Sequence, residues 1–316
     1  MKVYRNLDLL PSFVNPVVTI GTFDGVHLGH QQILSHLKNE ALAIHGETVV
    51  ITFHPHPRNI VGDTTGVQLL TTLEEKIELL EAAKINYLVV VPFDDFFANQ
   101  SAEEYVVNFL HQKFKPHTFI IGYDHRFGNK RSGDYQLLEK LGKQLGFIVK
   151  EIPQQLLNNA TISSTQIRKS LLQADLKTAT ALLGYSYFFS GIVIRGDQIG
   201  RTIGYPTANL QLLTNEKLVP GDGVYAVLIK IKQNTNSQEN VLKGMMYIGS
   251  RPVVNGKRRV IEVNIFDFNQ DIYDSEVQIT LHQWIRGDVH FNGLDALKNQ
   301  LAIDQIHSLE ALSVLG

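Results

Sequence analysis

From residue 16 to about 152 the chain alternates short apolar runs with segments of helical period. The runs VVTIG, TVVITF, YLVVVPF, TFIIG and FIVKEI are β-rich and separated by stretches in which apolar positions recur every three or four residues. That alternation predicts a parallel sheet flanked by helices. Thr71 and Thr72 precede LEEKIELLEAAK, and Ser101 with Glu104 forms a capping-box signature before EEYVVNFLHQKF, so two helices are expected to cross over between strands. Past residue 185 the period shortens to two, in FSGIVI, GVYAVLIKI, VIEVNIFDF and SEVQITLHQ. An antiparallel barrel or sandwich is expected there. QNTNSQEN at 233–240 reads as an exposed hairpin connection. Leu294, Leu297, Leu301, Ile303, Ile306, Leu309 and Leu312 fall near helical spacing and predict a final helix packed on the second sheet. The change of period puts a domain boundary near 184–187, giving domains of 1–184 and 185–316. A length of 316 residues already favours two cores.

Composition narrows the partners. Twenty-nine Lys and Arg against 31 Asp and Glu leave a formal charge of -2, which offers no broad basic surface to a nucleic acid or an anionic membrane. Neither partner is expected, and no obligate protein partner is inferred. The lack of cysteine excludes disulfides, thiolate metal sites and a thiol nucleophile, and fits a cytoplasmic location. No basic leader with an apolar run, and no stretch of about 18 apolar residues, points to export or membrane spanning.

Candidate chemistry begins where VVTIG runs into GTFDGVHLGH, Gly21 to His30, and then into a helical pattern. Glycines at 21, 25 and 29 allow close backbone approach, and a helix start behind them offers free N–H groups, together a cradle for phosphate. His27 and His30, one turn apart, can face the same phosphate. A zinc reading is poor, because no Glu stands between them as in HExxH and no third ligand is evident. In ATISSTQIRKSL, Ser163, Ser164 and Thr165 precede a helix with Arg168 one turn inside, so Ser164 is expected as a cap and the segment as a phosphate-binding loop. HPHPR (54–58) and GYDHRFGNKRSGD (122–134) follow the second and fourth runs, at the strand ends where open parallel sheets bind ligands. His54 and His56 equally suit a rigid Pro-spaced turn.

In the second half, Thr207 and Asn209 of GRTIGYPTANL share a face if the segment is extended. Their oxygens suit magnesium if ATP phosphates complete its shell. Alternation puts Glu262 opposite Ile261 and Val263, where the plain reading is an exposed strand Glu. The nearest approach to a Walker motif, Gly244 to Arg251, lacks its lysine, so a kinase here is not of P-loop type.

GTFDGVHLGH resembles the GxFDGxHxGH signature of the FMN adenylyltransferase branch of the HxGH nucleotidyltransferases. With SSTQIR, PTAN and Glu262, the chain from about 15 to 300 resembles the bacterial bifunctional riboflavin kinase/FAD synthetases. The resemblance implies two domains: an N-terminal α/β Rossmann-like nucleotidyltransferase fold, and a C-terminal antiparallel β-barrel kinase with a terminal helix. It implies a bifunctional transferase that phosphorylates riboflavin to FMN and adenylylates FMN to FAD, using ATP and Mg2+. His27, His30, Arg168 and Glu262 would be catalytic. Gly21, Phe23, Asp24, Gly25, Gly29, Ser163, Ser164 and Thr165 would hold ATP in the first domain, and His54, His56, Arg58, Asn129, Arg131 and Asp134 would hold FMN. In the kinase, Gly200, Arg201, Gly204, Pro206 and Arg286 would bind ATP or substrate, and Thr207 and Asn209 the metal. Departures from the family pattern are His125 in the second loop, Ile203 and Tyr205 for Leu and Phe, Val253 for Thr, Asn264 for His, and Gly287 with Asp288 for an acidic pair. An adenylyltransferase for another phosphorylated vitamin precursor would lack an intact PTAN and Glu262, and a non-catalytic flavin-binding regulator would lack His27, Arg168 or Glu262. All are present.

Overall fold

Val17, Val18, Val49, Val50 and Ile51 are wholly buried, as a strand pressed between two helical layers requires. They belong to a six-stranded parallel sheet in the computed structural model, which describes residues 1–61, 67–123, 125–153, 162–196, 199–232, 240–253 and 256–314, apart from the side chains of 199, 251–253 and 256–258. The chain divides into two compact units, Met1–Ser164 and Thr165–Gly316.

In the first unit the strands are β1 (Lys2–Tyr4), β2 (Val17–Ile20), β3 (Thr48–His54), β4 (Tyr87–Pro92), β5 (Thr118–Gly122) and β6 (Ile148–Ile152), in the order β1-β4-β3-β2-β5-β6. Alternation along each strand splits the core in two. Val18, Ile20 and Ile51 pack with Tyr105, Phe109 and Leu138 on one face, while Val17, Val50 and Leu88 pack with Leu34, Leu37 and Leu80 on the other. Helices α1 (Leu28–Ala43) and α2 (Leu73–Ala82) supply the second layer. The first comes from the run 102–114 and from α3 (Tyr135–Leu145). Each wholly buried Val, Leu or Ile contributes about 1.5–3 kcal/mol of transfer free energy. After β2 the chain adds β3 and β4 to one side and β5 and β6 to the other, so the loops leaving β2 and β5 diverge and open a crevice at their carboxyl ends.

All five expected strands form, and both capping boxes close, Thr72 with Glu75 and Ser101 with Glu104. Two features had no sequence signal. The three-residue β1 exists by pairing with β4, and Tyr105–His111, inside the expected second helix, is π-helical.

The second unit opens with α4 (Ser164–Leu172) and α5 (Leu176–Leu183), whose Ile167, Leu171, Ala179 and Leu183 are buried. A closed antiparallel barrel follows: β7 (Phe188–Ile194), β8 (Ala208–Leu212), β9 (Gly223–Lys232), β10 (Val241–Val253), β11 (Gly256–Ile265) and β12 (Glu276–Arg286), ordered β10-β11-β8-β7-β12-β9. Closure resolves the barrel-or-sandwich alternative and leaves no free edge. The connection expected at 233–240 lies, except for Asn240, outside the described residues.

The final helix α6 (Leu294–Ser313) packs against β9, β10 and β12 as expected, but through only part of the apolar stripe that its sequence suggests: Leu312 is wholly buried and Leu297 and Leu301 line a cavity. Asp304, Ser308, Ala311 and Leu312 face inward, while Ile303, Ile306 and Leu309 are exposed. The cause is ionic. Fully buried Asp304 accepts from Arg286 Nε at 2.8 and 3.1 Å and from Nη2 at 2.7 Å, and from Gln300 Nε2 at 2.9 Å. A bidentate pair of this kind fixes which face turns in.

Candidate active sites

In the first unit the turn after β2 is shaped by unusual backbone. Phe23 (φ 47°) and Val26 (φ 35°) join Gly25 (φ 80°) in the left-handed region, which is strained for an aromatic and more so for a β-branched residue. The turn is clamped. Asp24 Oδ1 accepts from the amides of Leu70 (2.9 Å) and Thr71 (3.1 Å), Gly25 N donates to Thr71 Oγ1 (3.0 Å), and Ser164 Oγ donates to the Asp24 carbonyl (3.2 Å). Ser164 is therefore the first residue of α4, tied to the turn rather than acting as the expected cap.

His27 occupies the N-cap position of α1 but makes no side-chain cap, so the first-turn amides keep their capacity for an anion. Its ring stacks on His30 with centroids 3.7 Å apart and planes 16° apart. A Cβ on Gly29 would come within 3.3 Å of the His27 ring, and one on Gly21 within 3.2 Å of the Phe23 ring, so a side chain at either position would crowd a ring. Burial holds the pKa of His30 well below the usual imidazole value, aided by His27 and Lys76. A neutral His30 ring, stacked on His27 at a helix N-terminus, still has one ring N–H to donate to a phosphoryl oxygen.

The remaining first-domain candidates have mixed placements. His56 is buried and its Nδ1 accepts from Arg58 N (3.2 Å), a rigid-turn arrangement, whereas His54 and Arg58 are exposed. In the loop after β5, Phe127 pairs with Gly133, and a Cβ at Gly133 would fall 2.6 Å from Phe127 Cδ2. Asn129 Nδ2 donates to Asn99 Oδ1 (3.3 Å), and Asp134 caps α3 through Leu137 N (3.0 Å) while pairing with Arg126 (3.1 Å). The Leu137 amide, more than Arg126, lowers the Asp134 pKa. Both side chains thus shape the loop, while Arg131 is exposed. The departure His125 stacks on Phe127 at 5.8 Å. Ser163 and Thr165 are exposed, and Arg168 is half-buried on α4.

The second site is assembled from side chains. Glu262 is buried (8% exposed), which excludes the exposed-strand alternative, and it lies in register between Tyr247 on β10 and Asn209 on β8. On the face away from Ile261 and Val263, Glu262 shares a cavity with Leu297 and Leu301 of α6. Glu262, Thr207, Tyr205, Tyr247, Arg286 and Leu301 are among the walls of a cavity of about 250 Å³. A second cavity of about 180 Å³ is lined by Arg201, Asp271 and Tyr273, and Thr207 lines both. Gly200 is needed beside this turn: its carbonyl accepts from Tyr205 N (2.8 Å), and an added Cβ would run into the Tyr205 carbonyl. Gly204 takes φ 87°. Asn264, where the family pattern has His, donates from Nδ2 to the Pro206 carbonyl at 2.7 Å and so ties β11 to the PTAN turn. Arg286 spends its fork on Asp304 and its Nη1 on the Gly287 carbonyl (2.9 Å), while still lining the larger cavity. The side chain of Val253, where the family pattern has Thr, lies outside what the structure describes.

Sequence reasoning missed two features. Lys76, inside an ordinary-looking helical run, is 6% exposed beneath the first site, and the apolar wall of the larger cavity, including Val224, Met245 and Leu297, is scattered over three elements. Neither forms a contiguous motif.

A family model described as FAD synthetase matches residues 12–166, and one described as riboflavin kinase matches 183–312. Proteins named bifunctional riboflavin kinase/FMN adenylyltransferase are similar along nearly the whole chain. The one from Haemophilus influenzae is 39% identical over 91% of each chain. That from Escherichia coli K12 is 36% identical over 93% of this chain and 92% of its own, and that from Bacillus subtilis 37% over 95% and 93%. A crystal structure described as a macrolide-efflux protein from Streptococcus pneumoniae has a TM-score of 0.84 at 30% identity, covering 97% of this chain and 98% of its own. Among the described residues of the present chain, no helix is long and apolar enough to cross a membrane.

Proposed function

The chain belongs to the bifunctional riboflavin kinase/FMN adenylyltransferase family, and from that premise we propose how its two reactions divide between the two sites. It phosphorylates riboflavin to FMN with ATP and adenylylates FMN to FAD. In the barrel, Glu262 takes the proton of the ribityl 5′-hydroxyl as that oxygen attacks the γ-phosphorus of ATP, and ADP leaves. The observation supporting this reading is Thr207, which lines both the cavity holding Glu262 and the neighbouring one lined by Arg201. Flavin and nucleotide would meet at that residue.

Among the described residues no group of three or more His, Cys, Asp or Glu could hold a metal, so magnesium fits as the ion that ATP brings. Thr207 and Asn209 would hold it with neutral oxygens, and when bound it would offset charge on the transferring phosphate. Gly200, Arg201, Gly204 and Pro206 shape the nucleotide side, and Arg286 the flavin side.

In the first domain, an FMN phosphate oxygen attacks the α-phosphorus of ATP in line and pyrophosphate leaves. His27 and His30 donate to the oxygens on which charge builds. Gly21, Phe23, Asp24, Gly25 and Gly29 form the cradle, and Ser163, Ser164, Thr165 and Arg168 hold the departing phosphates. His54, His56, Arg58, Asn129, Arg131 and Asp134 form the flavin-side walls, with Asn129 and Asp134 acting through loop shape. The functional boundary is placed at 184/185. Incubation with riboflavin, ATP and magnesium, followed by separation of flavins, should yield FMN and then FAD. Absence of both products would end this reading.

A further inference from the structure

Asp24 presents a physical problem at an anion site. Its carboxylate is 2% exposed within the turn that would cradle a triphosphate, and a buried negative charge there repels what the turn must bind. A counter-charge lies beneath. Lys76, on the buried face of α2, donates from Nζ to Thr52 Oγ1 on β3 at 3.2 Å, and Thr52 Oγ1 donates to the Thr22 carbonyl at 3.1 Å. The ammonium is thus wired to the backbone of the same turn.

We propose that Lys76 is a positioning residue of adenylyl transfer, its buried ammonium offsetting Asp24 under the phosphate cradle. Four ionisable groups surround it: Asp24 from the turn, His30 and the stacked His27 from α1, and Glu75 from its own helix, the last engaged in the cap with Thr72. Burial lowers the Lys76 pKa to about 8, with Asp24 acting in the opposite sense, so the cation persists at neutral pH. Lys76 in turn contributes to lowering His30. The Coulomb field of one cation thus acts on both neighbours: it cancels the carboxylate and discourages an imidazolium.

This inference rests on the adenylyltransferase reading of the first site, and its test separates the two. In FMN adenylylation, Lys76→Met should raise the KM for ATP about tenfold or more and move the acid limb of the pH–rate profile upward, because His30 becomes easier to protonate. Lys76→Arg should keep both near wild type. Lys76→Met combined with Asp24→Asn, whose Oδ1 can still accept from Leu70 and Thr71, removes both charges and should recover most of the lost affinity. NMR titration of the histidines in the same proteins should show the His30 pKa rising in Lys76→Met and staying near wild type in Lys76→Arg, which keeps the charge. An unchanged KM with an unmoved His30 titration, or no recovery in the double variant, overturns the proposal. If wild-type protein makes no FAD, the reading of the site fails instead, and the His30 titration still decides whether the Lys76 charge acts on His30.

Discussion

The two proposed sites differ in how they would hold phosphate. The turn of the first is made largely of backbone, with glycines, residues at positive φ, helix-start amides and two stacked imidazoles within Gly21–His30. The second is made of side chains drawn from β8, β9, β10, β11, β12 and α6 around two adjoining cavities. A site built from one continuous turn is read directly from its motif. One built by barrel closure reveals in sequence only the pieces that happen to be contiguous.

The sharpest way to break this contrast is to remove one group from each site and measure both reactions. Glu262→Gln keeps the shape but removes the base, and should lower FMN formation by about a hundred to ten thousandfold while conversion of supplied FMN to FAD is unchanged. His27→Ala should lower FAD formation by about a hundredfold and leave riboflavin phosphorylation intact. Equal damage to both reactions by either change would dissolve the proposed division. Asp304→Ala tests how far the second site depends on distant packing. Leaving Arg286 half-buried and unpaired should cost about 3–5 kcal/mol, read in chemical denaturation of the barrel.

A smaller effect concerns pH. Because the His30 pKa is depressed in the fold, the native site stays uncharged as pH falls through the usual imidazole range near 6.5, whereas the unfolded chain takes up a proton there. Adenylylation should therefore hold its rate at pH 6.5 and decline only at lower pH. The stability associated with His30 is complete above that range and is lost as pH falls toward the folded-state pKa. A pH–rate profile with an acid limb at 6.5 would mean that the rings are not shielded as described.

The legible part of the molecule follows the same division. Five strands of the sheet, both capping boxes and the phosphate turn were readable, since each depends on residues close in sequence. β1 was not, because three residues carry no period and gain their pairing only from β4. The inward face of α6 was legible only in part, at Leu297, Leu301 and Leu312, because Asp304 reads as a polar residue until Arg286, 18 positions earlier, is brought beside it. Lys76 was hidden likewise, since its partner Thr52 stands on another element. Asn264, a departure in sequence, acquires a purpose only when Pro206 lies opposite.

The pairing of Glu262 with Tyr247 on one side and Asn209 on the other has an evolutionary corollary. Side chains along a strand alternate, so deleting or inserting one residue in β11 would swap the carboxylate with Ile261 or Val263 and turn it away from its cavity. In a closed barrel the slip cannot be absorbed at a margin, because every strand has two neighbours. Residue identities around Glu262 can drift, as Asn264 illustrates, but the number of residues between the hairpin ends cannot. Length polymorphism among descendants of this sequence should accordingly gather in the connections and spare the strand itself.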